Sequence, residues 1–286
     1  MGEETKELNP LGYKLIGKLL KSLAIPAIIA NLVNALYNVV DQIFIGQRIG
    51  YLGNAATNIA FPITTMCLAI GLTLGIGGAS NFSLELGKGY PEKSKHTAGT
   101  AASTLIIIGI ILCIVVRIFL EPLMLDFGAT DKILEYSMEY TGITSFGIPF
   151  LLFSIGVNPL VRADGNAKYS MIAIVTGAIL NTILDPLFMF VYNWGIAGAA
   201  WATVISQIVS ALLLLIYFPR FKSVKFSLND FIPQLHYLKR IISLGFASFI
   251  YQFSNMIVLV TTNNLLKIYG KNSIYGSDIP IAVFGI

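Results

Sequence analysis

The sequence predicts an all-α polytopic membrane protein: a six-helix N-terminal lobe followed by the first one to two helices of a second, repeated lobe. Three observations carry this expectation. Of 286 residues, 55% are hydrophobic and only 12% are charged, against about 25% charged in an ordinary soluble domain. Apolar runs of about 18 residues or more recur along the whole length, each long enough to cross the hydrocarbon layer as a helix. A segment near residue 22 also has an echo near residue 243. The period-two alternation that membrane strands require is not found.

Taken in order, residues 1–21 are polar and hold no short apolar core ahead of a small-residue cleavage site. They read as a cytoplasmic N-terminal tail and not as a cleaved signal peptide. Spans are expected near 22–46, 55–82, 98–120, 136–161, 170–192 and 196–217, so that 22–217 forms the six-helix lobe. Gly-Tyr-Pro at 89–91, Asp-Gly-Asn at 164–166 and Asn-Trp-Gly at 193–195 break the chain between spans. Residues 218–240 are basic, contain Pro219 and Pro233, and read as a cytoplasmic linker between lobes. Residues 241–286 start the C-terminal lobe with a span near 241–267 and an eighth beginning near 279. Pro26 and Pro159 are hinge candidates, because proline interrupts the helical hydrogen-bond ladder.

With the N-terminus inside, fourteen of the 19 Lys and Arg residues face the cytoplasm, among them Lys6, Lys14, Lys18, Arg162 and Lys168. That asymmetry fixes the orientation of a multi-pass protein of the cell membrane. The net charge of +4 resides in loops and does not point to nucleic acid. Cys67 and Cys113 fall inside spans and read as small apolar residues, without a disulfide framework. His96 and His236 fall in cytoplasmic loops and read as solvated.

The echo aligns Ser22-Leu23-Ala24-Ile25-Pro26 with Ser243-Leu244-Gly245-Phe246-Ala247. At that offset Asn31 falls on Gln252, Asn34 on Asn255 and Asp41 on Thr262. A second lobe is therefore expected to begin near residue 240 and to repeat the first. The sequence ends at Ile286, inside what would be that lobe's second helix. A fragment or an interrupted reading frame is expected, dependent on the missing C-terminal lobe.

Two acids lie in mid-span, Asp41 in the first and Asp185 in the fifth. An ionised carboxylate at the bilayer centre costs about 2.5–3.5 kcal/mol on insertion scales, so such acids mark cation sites more often than scaffold. Asn31, Asn34, Asn38 and Asp41 are spaced three, four and three apart, which places them on one helix face with Tyr37 beside it. Asn181 and Asp185 share a face four residues apart, and Pro186 loosens the helix there. Thr203, Gln207 and Ser210 repeat the spacing in the sixth span. Asp41, Asn181, Asp185 and Thr203 offer oxygen ligands to Na⁺, and the carboxylates equally offer a place for H⁺. Asn34, Tyr37, Asn38, Asn158, Gln207, Gln252 and Asn255 are candidates to line a cavity. No organic cofactor is expected. The Gly71, Gly75, Ala79 stripe lacks a following Gly-Lys-Ser/Thr and reads as close helix packing, not a phosphate cradle.

The stretches PAIIANLVNALYNVVDQIFIG (Pro26 to Gly46), RADGNAKYSMIAIVTGAILNTILDPLF (Arg162 to Phe188) and GIAGAAWATVISQ (Gly195 to Gln207) resemble the multidrug and toxic compound extrusion family. The resemblance implies two six-helix lobes around a central cavity. It implies export of cationic, amphipathic drugs or toxic metabolites in exchange for H⁺ or Na⁺, and no enzymatic activity. It places Asp41, Asn181, Asp185 and Thr203 at the family's N-lobe cation site. Some members also use an acid in the seventh span; between 241 and 267 this chain has none. A lipid-linked oligosaccharide flippase of the same superfamily is the nearest rival, and it would line its cavity with cations. An intramembrane aspartyl protease would need a Gly-x-Gly-Asp signature, which is absent.

Overall fold

The computed structural model describes residues 16–285, with the backbone alone at Lys18 and Leu19. The expected tail up to residue 15, including Lys6 and Lys14, lies outside the described residues, as does the side chain of Lys18.

Every regular element among the described residues is helical. The helices are α1 (Ile16–Ile49), α2 (Tyr51–Gly87), α3 (Pro91–Ile118), α4 (Leu120–Asp126) and α5 (Asp131–Thr144). They are followed by α6 (Ile148–Ala163), α7 (Ala167–Pro186), α8 (Ile196–Tyr217), α9 (Leu235–Gly270) and α10 (Asp278–Phe284). Among the described residues, seven segments are long and apolar enough to cross a membrane. The fourth of them, Asp131–Ala163, joins α5 to α6 through a single 3₁₀ turn at Ser145–Gly147.

The helices overrun the apolar stretches. The second starts at Tyr51 and ends at Gly87, where hydropathy places 55–82, because backbone hydrogen bonding continues past the hydrocarbon edge. The expected breakers work by local chemistry. Gly165 takes a positive φ of 88° and lets Asn166 cap α7, its side chain accepting from the Tyr169 N–H at 3.2 Å. Pro186 ends the α-helical part of the fifth span, which closes in a π turn over Leu187–Val191.

Helix α2 is the centre of the bundle and packs against α9, α6, α3, α10 and α5. Its glycines permit this. A Cβ at Gly75 would sit 2.6 Å from the Gly156 carbonyl oxygen of α6, and one at Gly77 would collide with the Ile241 carbonyl of α9. Gly245 of α9 answers from the other side, lying against the Thr73 carbonyl of α2. Bare backbone against bare backbone gives the dispersion contact that drives helix association in lipid. At the far end of the same pair, the Asn58 amide of α2 donates to Asn263 Oδ1 of α9 (3.1 Å) and to the Ile281 carbonyl of α10 (2.8 Å). Lys267 donates to the Ala129 carbonyl, and Asn264 donates to the Asp126 carbonyl. Helix α9 is thus fastened at both ends. Helix α1, by contrast, packs chiefly on α7 and keeps most of its length exposed.

The stretch expected to be a linker is folded onto the bundle. Phe218, Phe221, Phe226 and Phe231 form one ring cluster, with Phe82 of α2 edge-on to Phe221. Asp164, fully buried in the α6–α7 turn, accepts from the Tyr217 hydroxyl (2.8 Å) and from the Lys222 and Ser223 N–H groups (2.9 Å each). Asp230 closes a capping box with Ser227. It also receives Lys95 at 3.8 Å and His96 Nδ1 at 3.1 Å. His96 is therefore half-buried in the first turns of α3 and not in a solvated loop. The apolar rings and the two buried acids explain why so basic a segment is held down.

Candidate functional site

The helical period puts Asn34, Asn38 and Asp41 on one side of α1, and α1 leans on α7, which carries Asn181 and Asp185. The result is a buried polar knot. Asp41, Asn181 and Asp185 are 7%, 2% and 0% exposed. The Asp41 and Asp185 carboxyl groups lie within hydrogen-bonding reach of each other. The Asn181 amide donates to Asp185 Oδ1 at 3.2 Å and reaches Thr203 Oγ1 of α8 at 3.4 Å. All four of these residues are brought together.

The knot has more acceptors than donors. Asp41 Oδ1, Asn181 Oδ1 and Asp185 Oδ2 are buried without a hydrogen-bond partner. Unsatisfied buried oxygens each carry a desolvation cost of about 1–3 kcal/mol. Two touching carboxylates add mutual repulsion, which a proton or a small cation between them removes. Among the described residues, no group of three or more His, Cys, Asp or Glu is arranged to hold a metal ion. The donor set is all oxygen, with two acids and neutral amide and hydroxyl groups, which fits H⁺ or Na⁺ and not a thiophilic metal.

Two tyrosines flank the acids. Tyr37 comes from α1, where its hydroxyl meets Asn38. Tyr140 comes from α5 and lines the first cavity together with Thr203. Sequence reasoning named Tyr37 and missed Tyr140. The signal was present: Ser137, Tyr140, Thr141 and Thr144 repeat the three-and-four spacing that exposed the face of α1.

Two cavities adjoin the knot. The first, about 300 Å³, is lined by Tyr37, Asn38, Asp41, Gln42, Tyr140 and Gln207 among others. The second, about 250 Å³, is lined by Asn31, Asn34, Asn158, Arg162, Asn181 and Ser210 among others. Tyr37, Leu151, Thr203 and Gln207 belong to both and form the wall between them. Asp41 reaches the first cavity and Asn181 the second, while Asp185 lines neither.

The remaining expected residues are placed as follows. Asn38 donates to the Asn34 carbonyl (2.8 Å) and side chain (3.2 Å), so part of the α1 face is bonded within itself. Asn158 is buried, with its amide on the Ser170 carbonyl (3.1 Å) and its oxygen accepting from the Ser170 hydroxyl (2.8 Å). It ties α6 to α7. Gln207 keeps an unpartnered Oε1. Gln252 and Asn255 are hydrogen-bonded to each other on α9 at 3.4 Å and line neither of the two cavities. Pro26 and Pro159 lie inside continuous helices. Arg162, read from sequence as a topology signal, lines the second cavity.

The sequence pattern of the MatE family matches residues 26–187. The multidrug export protein MepA of Staphylococcus haemolyticus is 25% identical over 276 residues, covering 94% of this chain and 60% of that protein. The MepA protein of Staphylococcus aureus strain NCTC 8325 is 26% identical over 271 residues, covering 93% and 60%. Among solved structures, a complex of the MATE multidrug transporter DinF-BH matches with a TM-score of 0.88 at 33% identity, covering 100% of this chain and 62% of that one. An inward-facing multidrug resistance MATE transporter of the MOP superfamily matches with a TM-score of 0.79 at 27% identity, covering 93% and 60%. The chain spans about 60% of the length of the relatives it matches.

Proposed function

This chain belongs to the MatE family, and on that premise we propose that it acts in export of cationic, amphipathic compounds across the cell membrane in exchange for H⁺ or Na⁺. Asp41, Asn181, Asp185 and Thr203 are the coupling site, with Tyr37 and Tyr140 beside it. The first six spans form one lobe, α9 opens a second that repeats it, and the N-terminus is cytoplasmic. The observation that carries this reading is the contact of Asp41 with Asp185 beside the two cavities, with three buried oxygens lacking donors.

The mechanism follows from that contact. With both acids ionised, α1 and α7 repel at this point, and the carboxylates attract a cationic substrate into the adjoining cavity. Binding of H⁺ or Na⁺ neutralises the pair. The cost of mid-membrane charge, a few kcal/mol, disappears, and α1 repacks against α7. The substrate loses its counter-charge and leaves. The cation drives the change only by binding one arrangement more tightly than the other. A difference of about 2.7 kcal/mol moves a balanced equilibrium about a hundredfold. Helix α1 is suited to this because so little of it is buried and because Pro26 interrupts its hydrogen-bond ladder.

The test is dye retention in an efflux-deficient bacterial host that expresses the protein or its Asp41→Asn variant. Expulsion by the wild type and retention by the variant are the expected results. Equal expulsion by both, with both present in the membrane, removes the coupling role of Asp41. The flippase reading has one observation in its favour, the cationic side chain of Arg162 on the second cavity.

A further inference from the structure

Among the described residues, Arg162 is the one Lys or Arg that lines either of the two cavities. It lies in the last turn of α6, and side chains on an α-helix lean toward its N-terminus. That direction carries the guanidinium back along α6, toward the cavity it lines with Asn158 and Ser210. Lys88, Lys95 and Lys132 each have a carboxylate within 4.0 Å. Arg162 has no ion pair and no side-chain hydrogen bond among the described residues. The acid closest in sequence, Asp164, already holds the Tyr217 hydroxyl and two backbone N–H groups. The acids of the knot lie at the opposite end. Along α7 the lining runs from Ile174 to Asn181, about 10 Å of helix rise, and Asp185 lies one turn beyond.

The second cavity is therefore dipolar, with an unpaired guanidinium at one end and a carboxylate pair behind the other. Between them lie amide and hydroxyl groups and the apolar side chains of Leu72, Leu151, Ile155 and Leu214. A guanidinium presents a rigid fork of N–H donors that matches a carboxylate or a phosphate. We propose that this cavity binds amphipathic molecules carrying an oxyanion, a carboxylate or a phosphate group, which Arg162 engages. The apolar body lies on the leucine side. This rests on the export reading only in taking the cavity as open to transported molecules.

The test measures binding, so it does not depend on coupling. The full chain is placed in phosphatidylcholine nanodiscs, and fluorescence polarisation follows two dyes with one xanthene body, a cationic rhodamine ethyl ester and the corresponding free acid. The readout is the ratio of their dissociation constants in the wild type, Arg162→Gln and Arg162→Lys. Arg162→Gln is expected to shift the ratio about tenfold against the acid, and Arg162→Lys to restore part of it, since lysine keeps the charge without the fork. A parallel arm counts phosphatidylglycerol molecules retained by the same proteins in native mass spectrometry. An unmoved dye ratio with phosphatidylglycerol lost from Arg162→Gln assigns the oxyanion to a lipid headgroup and keeps the site. An unmoved ratio, or no dye binding, together with unchanged lipid retention overturns the proposal. Failure of the export reading would appear separately, as dye retained by cells that hold the wild type in their membranes.

Discussion

The carboxyl of Asp41 on α1 meets the carboxyl of Asp185 on α7, and the amide of Asn181 holds Asp185 from the side at 3.2 Å. Two like charges this close behave as one titrating unit and not as two independent acids.

Non-additivity follows. Asp185→Asn is expected to lower dye efflux about tenfold or more, the scale of a 1–3 kcal/mol coupling free energy. The Asp41→Asn, Asp185→Asn double variant should be no worse than either single. Efflux rates of the four forms, normalised to protein in the membrane, decide it. A double variant whose loss equals the product of the single losses would show two independent sites.

Tyr140 is the side chain by which α5 lies beside the knot, on the cavity it shares with Thr203 and Asp41. Tyr140→Phe removes the hydroxyl, a hydrogen-bonding group worth about 1 kcal/mol when it binds a partner, and keeps the ring. The cation concentration that half-saturates efflux in everted vesicles should shift about fivefold, with expression unchanged. No shift in either the H⁺ or the Na⁺ dependence would remove Tyr140 from the site.

Gly245 is expected to be intolerant of any side chain, because a Cβ there meets the Thr73 backbone, which cannot step aside. Gly245→Ala should cost about 1–3 kcal/mol by overpacking, read as a lower midpoint of thermal unfolding in detergent. Gly87→Ala, at the exposed end of α2 with nothing within 4 Å, serves as the control. Equal melting of both variants would mean that α2 and α9 do not approach so closely.

The folded linker has its own pH dependence. Burial opposes the charge on Asp230. The Ser227 N–H and hydroxyl, with Lys95 and His96 nearby, nevertheless hold its carboxyl below the ordinary carboxylate range. A carboxyl depressed in the folded state contributes stability that is present above its unfolded value, near pH 4, and is lost as pH falls through the folded value. Hydrogen exchange over 221–234 should therefore accelerate only below about pH 4, and Asp230→Asn should already exchange fast at neutral pH. Protection that persists undiminished far below about pH 4 would remove Asp230 from the latch.

Much of the fold and part of the site are legible in the residues alone. Hydropathy marks the seven spans because crossing a bilayer is a demand on each segment by itself. The helical period marks Asn34, Asn38 and Asp41 as one face, and Asn181 with Asp185 as another, for the same local reason. Hydropathy sets the boundaries too short, since helices such as α2 continue beyond the apolar stretch that identifies them.

Tertiary structure decided the rest. Which face meets which is set by where backbones can approach, at Gly75 against Gly156 and at Gly77 and Gly245 between α2 and α9. Those crossings bring Asp41 against Asp185, admit Tyr140 from a helix with no acid in the knot, turn Arg162 toward a cavity, and press the basic linker onto the ring cluster around Phe218. Hydropathy and periodicity sum over neighbours along the chain, whereas a contact between helices depends on the crossing geometry of two distant segments. The sequence by itself therefore determined the helices and their polar faces, and only packing determined which of those faces meet.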